Sequence, residues 1–299
     1  MALSTYVAVG NKEDISDIIS NISPKDTPFF SACGKVTATA TYHEWLEDTL
    51  RNPAANKQLE GAEYVTADPA VRTRKGNYTQ IFSAGYGVTG TQEVVAKHGV
   101  SSEIGDAMVK AMKEISLDIE YALMTQTAKS AGGASTARQF GGVPFWIGTN
   151  VVAGGGLVPT EGKLNEAIQL AWAEGGNPTK VYLSGTQKRN VSAWSGEGEK
   201  YLDQNSKKLV NSIAVYESDF GVVSFVPHRL LPDTAMYVID PSLWKIGQLR
   251  KLKTETLPKT GDHIKKIIIG ELTLEARSEK GNAKITGLVA VNPEPDPEE

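Results

Sequence analysis

Apolar residues along this chain recur with two spacings, and the spacing that holds in each stretch sets the element expected there. The strongest helical period runs through "SSEIGDAMVKAMKEISLDIEYALMTQTA", residues 101–128. Ile104, Ala107, Met108, Ala111, Ile115, Ile119, Ala122 and Leu123 share one face, while Lys110, Lys113, Glu114 and Asp118 fall largely elsewhere. Ser101 or Ser102 is placed to cap it, and at the helical rise it is about 35 to 40 Å long. A shorter period of the same kind sets Ile15, Ile18, Ile19 and Ile22 on one face, with Asn11 as cap, Asp14 reaching back to it and Pro24 as the stop. Leu164, Ala167, Ile168, Ala171 and Trp172 predict a third helix, closed by Gly175 and Gly176.

Alternation replaces the helical period elsewhere. It is strict over residues 36–42 of "KVTATATYHEW", which predicts a strand. Residues 63–96 hold two β-leaning runs joined by "RKGN", whose Gly76 and Asn77 suit a hairpin turn with Arg72, Arg74 and Lys75 at its tip. "KVYLSG", "SIAVYES", "VVSFVPH" and "AMYVID" read as strands, and "TQKRNVSAW" as a short helix. "KKIIIGELTLEAR" and "AKITGLVAV", split by "SEKGN", read as a closing hairpin. Strands and helices are segregated without a regular βαβ series, so the fold class is α+β. The first 60 or so residues have no sustained period beyond two small pieces and read as an extended arm with Phe29, Phe30 and Trp45 as its large apolar groups. A compact domain covering these aromatics itself is the competing reading.

Composition narrows the function. With 299 residues, 40% hydrophobic and 22% charged, the chain has material for a large core and none of the marks of a disordered or fibrous protein. The single cysteine, Cys33, makes neither an internal disulfide nor a zinc cluster, which fits a reducing compartment. No apolar run approaches the roughly 20 residues of a membrane helix. A net charge of -4 gives no global attraction for a polyanion. The proline-broken acidic stretch "NPEPDPEE" is expected to be solvated.

Candidate chemistry is sparse. "SAGYGVTGTQ" sets Gly85, Gly87 and Gly90 as G-x-G-x-x-G, but a dinucleotide site needs a helix starting at the third glycine, and "TQEVVAKHG" offers too short a run for one. Glycines in a twisted strand are the expected explanation. "GGGLVPTEGKL" fails as a P-loop because Leu157 stands at its first glycine and Leu164 at its Ser or Thr. "HEWLE" replaces the second histidine of a zinc-protease helix with Glu47, and His43, His98, His228 and His263 form no ligand-spaced pair. "WKIGQLRKLK" clusters Lys245, Arg250, Lys251 and Lys253 on what reads mainly as a solvated strand face, with a patch meeting an acidic partner subunit or packaged nucleic acid as the alternative. No catalytic, cofactor or metal site is assigned, and an enzyme is not expected.

The order of parts, together with "KEDISDIISNISPKDTPF", "HEWLEDTLRNPAANKQLEGA", "PSLWKIGQLRKLKTETLPKTGD" and "GELTLEARSEKGNAKITGL", resembles the tailed-phage major capsid proteins of the Hong Kong 97 fold, within the SU-ten-like major head protein family. The resemblance implies an N-terminal arm over 1–60, an extended loop over 61–96 and a peripheral domain with a spine helix over 97–139. An axial domain over 140–261, a C-terminal peripheral hairpin over 262–292 and an acidic tail over 293–299 complete it. It further implies hexamers and pentamers closing into an icosahedral virion shell, built in the host cytoplasm around double-stranded DNA without sequence-specific contacts. A portal protein and a scaffolding or decoration protein are the implied partners, and no membrane is. A phage tail or neck protein is the alternative, with a nucleotide-binding enzyme behind it.

An arm and a hairpin with little core of their own become stable by lying across neighbouring copies. Subunit contacts are therefore expected from Phe29, Phe30 and Trp45 as apolar anchors. Arg72, Arg74 and Lys75 are expected to face Glu103 and Asp106 of an adjacent copy.

Overall fold

The computed structural model describes residues 26–51, 53–63, 71–95, 99–194 and 215–291. The isoleucine helix expected before Pro24 and the acidic stretch from 292 onward lie outside the described residues. The element built best from its own sequence is α3, Glu103–Thr125, where the Ser102 hydroxyl accepts from Gly105 N at 3.2 Å as an N-cap. Its buried face is Ala111, Ile115, Ile119, Ala122, Leu123 and Met124, close to the face the spacing predicts.

α3 lies on a four-stranded sheet in the order β1 (Gly34–Thr37), β10 (Trp244–Thr256), β11 (His263–Ala276), β4 (Gln80–Thr89). β1 joins β10 in parallel, and the other pairs are antiparallel. A six-stranded sheet follows the order β5 (Val151–Ala153), β12 (Ala283–Thr286), β9 (Ala235–Ile239), β6 (Lys180–Leu183), β8 (Gly221–Pro227), β7 (Val215–Ser218). Alternation along its inner strands divides two cores, because successive side chains point to opposite faces. Tyr182, Tyr237 and Ile239 face the core shared with α3 and the first sheet. Val181, Leu183, Met236 and Val238 face a second core closed by α5 (Glu161–Ala173) and, through Val191, α6 (Gly185–Ala193). Burying a side chain of this size stabilises by about 1.5 to 3 kcal/mol, so strands buried on both faces anchor the molecule.

Three expectations need correction. "RKGN" is not a turn: Arg74 to Asn77 lie inside β3, Thr73–Tyr78, which pairs antiparallel with β2, Tyr42–Glu47. Gly76 is there for close approach, since a Cβ would meet the Tyr42 ring at 2.8 Å. The connection between the two ribbon strands therefore lies before β3, its described residues being 48–51, 53–63, 71 and 72, and β3 does not pair with β4 as a hairpin.

The closing hairpin also does not form. β11 stays in the first sheet while β12 pairs with β5 and β9 in the second, so "SEKGN" carries the chain between sheets. Glu279 anchors that crossing by accepting from Gly148 N at 3.2 Å and Thr149 N at 3.3 Å.

Finally, a short helix does begin at Gly90: α2, Gly90–Val94, follows β4 directly with Thr89 as its cap. It is five residues long, and Gly85 and Gly87 lie within β4, where a Cβ on Gly87 would meet the Lys265 side chain at 3.0 Å. Gly85 and Gly87 thus belong to a strand paired with β11 and not to a phosphate loop.

Candidate assembly surface

The surface most suited to other copies is the loop on the β2–β3 ribbon. Every described residue from 48 to 63 is exposed, with Leu50 at 97% and Leu59 at 84%, and Val71 on the return limb is 93% exposed. Apolar groups held this far from any core gain nothing within the subunit. "NPAANKQLEG" has no period able to fold them inward.

The ribbon itself is held firmly at its base. Asn77 is completely buried and uses its whole amide: Oδ1 accepts from Gly141 N at 2.8 Å, and Nδ2 donates to Leu274 O at 2.8 Å and Gly141 O at 3.0 Å. Lys129 donates to Gly76 O at 2.8 Å, with its ammonium 5.7, 5.5 and 5.3 Å from the rings of Tyr42, Phe145 and Trp146. His43 Nε2 lies 2.9 Å from the carboxylate of Glu275, which also accepts from Arg277 at 2.8 Å. Burial pushes the Glu275 carboxyl up, but the hydrogen bonds from His43 and Arg277 and the Arg277 charge outweigh it, and the group sits below its usual range.

Along the ribbon, three ion pairs cross between the strands or just beyond them: Arg74 with Glu44, Lys75 with Glu47 at 2.8 Å, and Arg72 with Asp48 at 3.2 Å. The Arg72 and Arg74 pairs are largely exposed and screened, worth about 0 to 1 kcal/mol each, and set register more than strength, while Lys75 and Glu47 are half-buried. Arg72, Arg74 and Lys75 are thus engaged within their own chain. Glu103 and Asp106 have local partners as well: Glu103 accepts from Gln92 at 3.3 Å, and Asp106 pairs with Lys110 at 2.7 Å. The structure does not bring the two groups together within one chain.

The expected aromatic anchors divide. Phe29 is a core residue, 0% exposed and packed edge-on against Tyr182 at 5.7 Å and Trp244 at 6.0 Å. It is corrected from an interface anchor to a fastening of the chain to its own body. Trp45 is half-buried, packed in its own chain against Trp146 at 5.1 Å, and keeps part of its surface open. Phe30 is half-buried beneath the Lys35 ammonium at 5.9 Å and keeps an open edge.

What sequence reading missed is Glu120, fully buried on the apolar side of α3. Its Oε1 and Oε2 accept from Phe29 N at 2.8 Å and Phe30 N at 2.7 Å, capping α1, Pro28–Ala32. His228 Nε2 sits 2.8 Å from the same carboxylate, and His228 Nδ1 accepts from Leu230 N at 3.2 Å, which places the ring proton on Nε2. The signal was one carboxylate between Ile119 and Ala122 in an otherwise apolar stripe. Glu271 is a second buried carboxylate, bound by Arg138 at 2.6 Å and Arg250 at 3.1 Å. Arg250 and Lys253, paired with Glu255, are thereby engaged members of the basic cluster on β10. Burial drives the Cys33 thiol far above its ordinary value, with the Glu120 charge adding to the effect, which leaves it unreactive. Among the described residues, no group of His, Cys, Asp and Glu is placed to hold a metal ion.

A family model, that of the SU10 major capsid protein, matches residues 3–289. The major capsid protein of Escherichia phage Phieco32 is 23% identical over 328 residues, covering 92% of this chain and 93% of that protein. Among solved structures, one from Microbacterium phage Oxtober96 superposes with a TM-score of 0.67 at 16% identity, covering 96% of this chain and 99% of that one. The capsid of a native GTA particle gives 0.66 at 13% identity, covering 96% and 100%. At these identities the structural likeness shows the fold alone, and that fold is the Hong Kong 97-like α+β arrangement.

Proposed function

The chain belongs to the SU10 major capsid protein family, and on that premise we propose that its copies form hexamers and pentamers closing into an icosahedral shell around double-stranded DNA. A major capsid protein is a structural subunit of the virion, and we assign this chain no reaction. Assembly in the host cytoplasm, a portal at one vertex and a scaffolding or decoration protein belong to the same reading. So does contact with DNA through charge alone, modest because the net charge is -4.

In this reading α3 is the spine. The six-stranded sheet with α5 and α6 is the axial part, and residues 48–72 form the extended loop that crosses a neighbour. The observation that carries the reading is the exposure of Leu50, Leu59 and Val71 on a loop whose base is fixed by Asn77 and Lys129. A rigid stalk carrying apolar groups is costly for a lone subunit and useful to a lattice, where each small contact is repeated.

Replacing residues 49–71 with a short Gly-Ser linker tests it. The variant is expected to melt as the parent does, because the described residues of the loop are exposed and belong to neither core. A loss of even roughly 1.4 kcal/mol per contact is a tenfold weakening of each one, and because a shell repeats the contact many times the yield of closed shells in micrographs should fall by at least about tenfold. Undiminished shells would refute the loop's role, and rings or tubes from the parent would favour a tail or neck protein.

A further inference from the structure

Val109, Met112, Ser116 and Glu120 form one strip along α3, within about 80° of one another around its axis and at the margin of its buried face. At the C-terminal end the strip is covered. Glu120 is 0% exposed because α1 packs there and donates Phe29 N and Phe30 N to its carboxylate. Toward the N-terminus the same strip is open, with Val109 and Met112 each 49% exposed. Ser116, one turn on from Met112, returns its hydroxyl to Met112 O at 2.8 Å and so asks for no polar partner above it. An open apolar strip that continues a covered one suits the apolar face of a second helix.

The chain carries a segment of that kind immediately beside it. Asp26, the first described residue, pairs with Arg229 at 3.7 Å, next to the His228 that holds Glu120. The chain therefore enters the body at the covered end of the strip. Just before that point in sequence, Ile15, Ile18, Ile19 and Ile22 share one helical face between the Asn11 cap and the Pro24 stop. A helix this short is marginal in water unless its apolar face is buried.

Lengths agree as well as chemistry. As a helix, Lys12 to Ser23 would span about 18 Å, and Glu120 to Val109 is about 17 Å along α3. Pro24 to Asp26 can bridge up to about 10 Å, enough to turn the segment onto the strip without leaving the subunit. We propose that residues 12–23 lie as a helix along α3 of their own chain, with the isoleucine face on Val109 and Met112. Together with α1 they form one clasp on the outer side of α3, pinned at Glu120.

The clasp needs no shell, so it is tested on the unassembled full chain, where its failure is distinct from a failure of the assembly reading. Met112→Cys is combined in turn with Ile15→Cys, Ile18→Cys, Ile19→Cys and Ile22→Cys, while Cys33 is buried and stays out of the exchange. With oxidised glutathione as oxidant, at least one combination is expected to close a disulfide within one chain, read on a denaturing gel as a monomer that has lost its free thiols. No disulfide in any of the combinations overturns the proposal. Dimers from an equimolar mixture of the single variants, formed as readily as the double variant closes, overturn it in favour of a second copy's segment. Val109→Glu with Met112→Glu gives an independent readout. Trypsin cleavage at Lys12 and Lys25 should quicken about tenfold or more, with the melting temperature close to the parent's because both residues are half-exposed. Equal cleavage of parent and variant overturns the proposal.

Discussion

Glu120 satisfies two backbone donors and a histidine from three separate segments, all out of water. An amide in its place presents one acceptor where two were needed and turns N–H groups toward other N–H groups. Glu120→Gln is therefore expected to cost about 1 to 3 kcal/mol, read as a lower urea midpoint of the unassembled subunit. An unchanged midpoint would mean the α1 cap is decorative. Glu275 gives a pH-dependent counterpart. Its carboxyl is held below its ordinary range in the folded chain, so its stabilisation is full above the unfolded value and fades as pH falls through the folded one. Arg277→Ala should bring the folded value back toward the unfolded one. The loss of stability between about pH 6 and pH 3 should then be smaller in the variant than in the parent. An identical pH profile for the two would contradict this.

Elements differ in how far their own residues announce them. α3 was legible because a 23-residue amphipathic stripe with a serine cap is a local property. The strands of the six-stranded sheet other than β5 were legible as short β-forming runs but not as neighbours. The β2–β3 ribbon was hidden because its register pairs residues 42–47 with 73–78 across a long loop, and no local signal encodes that. Gly76 and Asn77 have turn chemistry in isolation, yet here Gly76 admits the Tyr42 ring and Asn77 clamps Gly141 and Leu274. Phe29 was misplaced for the same reason, since the rings that cover it, Tyr182 and Trp244, lie more than a hundred positions away. The buried carboxylates at 120, 271 and 275 were visible only as charges among apolar positions. At this scale the account makes a register prediction. Arg74→Glu should speed proteolysis within 48–63 while changing global stability by no more than about 1 kcal/mol. The exchange of Glu44→Arg with Arg74→Glu should restore resistance, and failure to restore it would show that the pair does not set register.

As a whole molecule, the chain is more self-sufficient than its sequence suggests. Residues 26–47 fold into the body through Phe29, β1 and Trp45, so among the described residues the part left for neighbours is the exposed stretch from 48 to 63 with Val71. Two cores sharing the inner strands give a stiff plate, and a stiff plate with one apolar limb is suited to a repeated lattice. The most direct measurement is a cryo-electron-microscopy map of the purified assembled particle. The account predicts closed shells in which Leu50 and Leu59 are buried against an adjacent subunit. Particles in which both side chains remain in solvent, or a chain that stays monomeric with the loop intact, would contradict it.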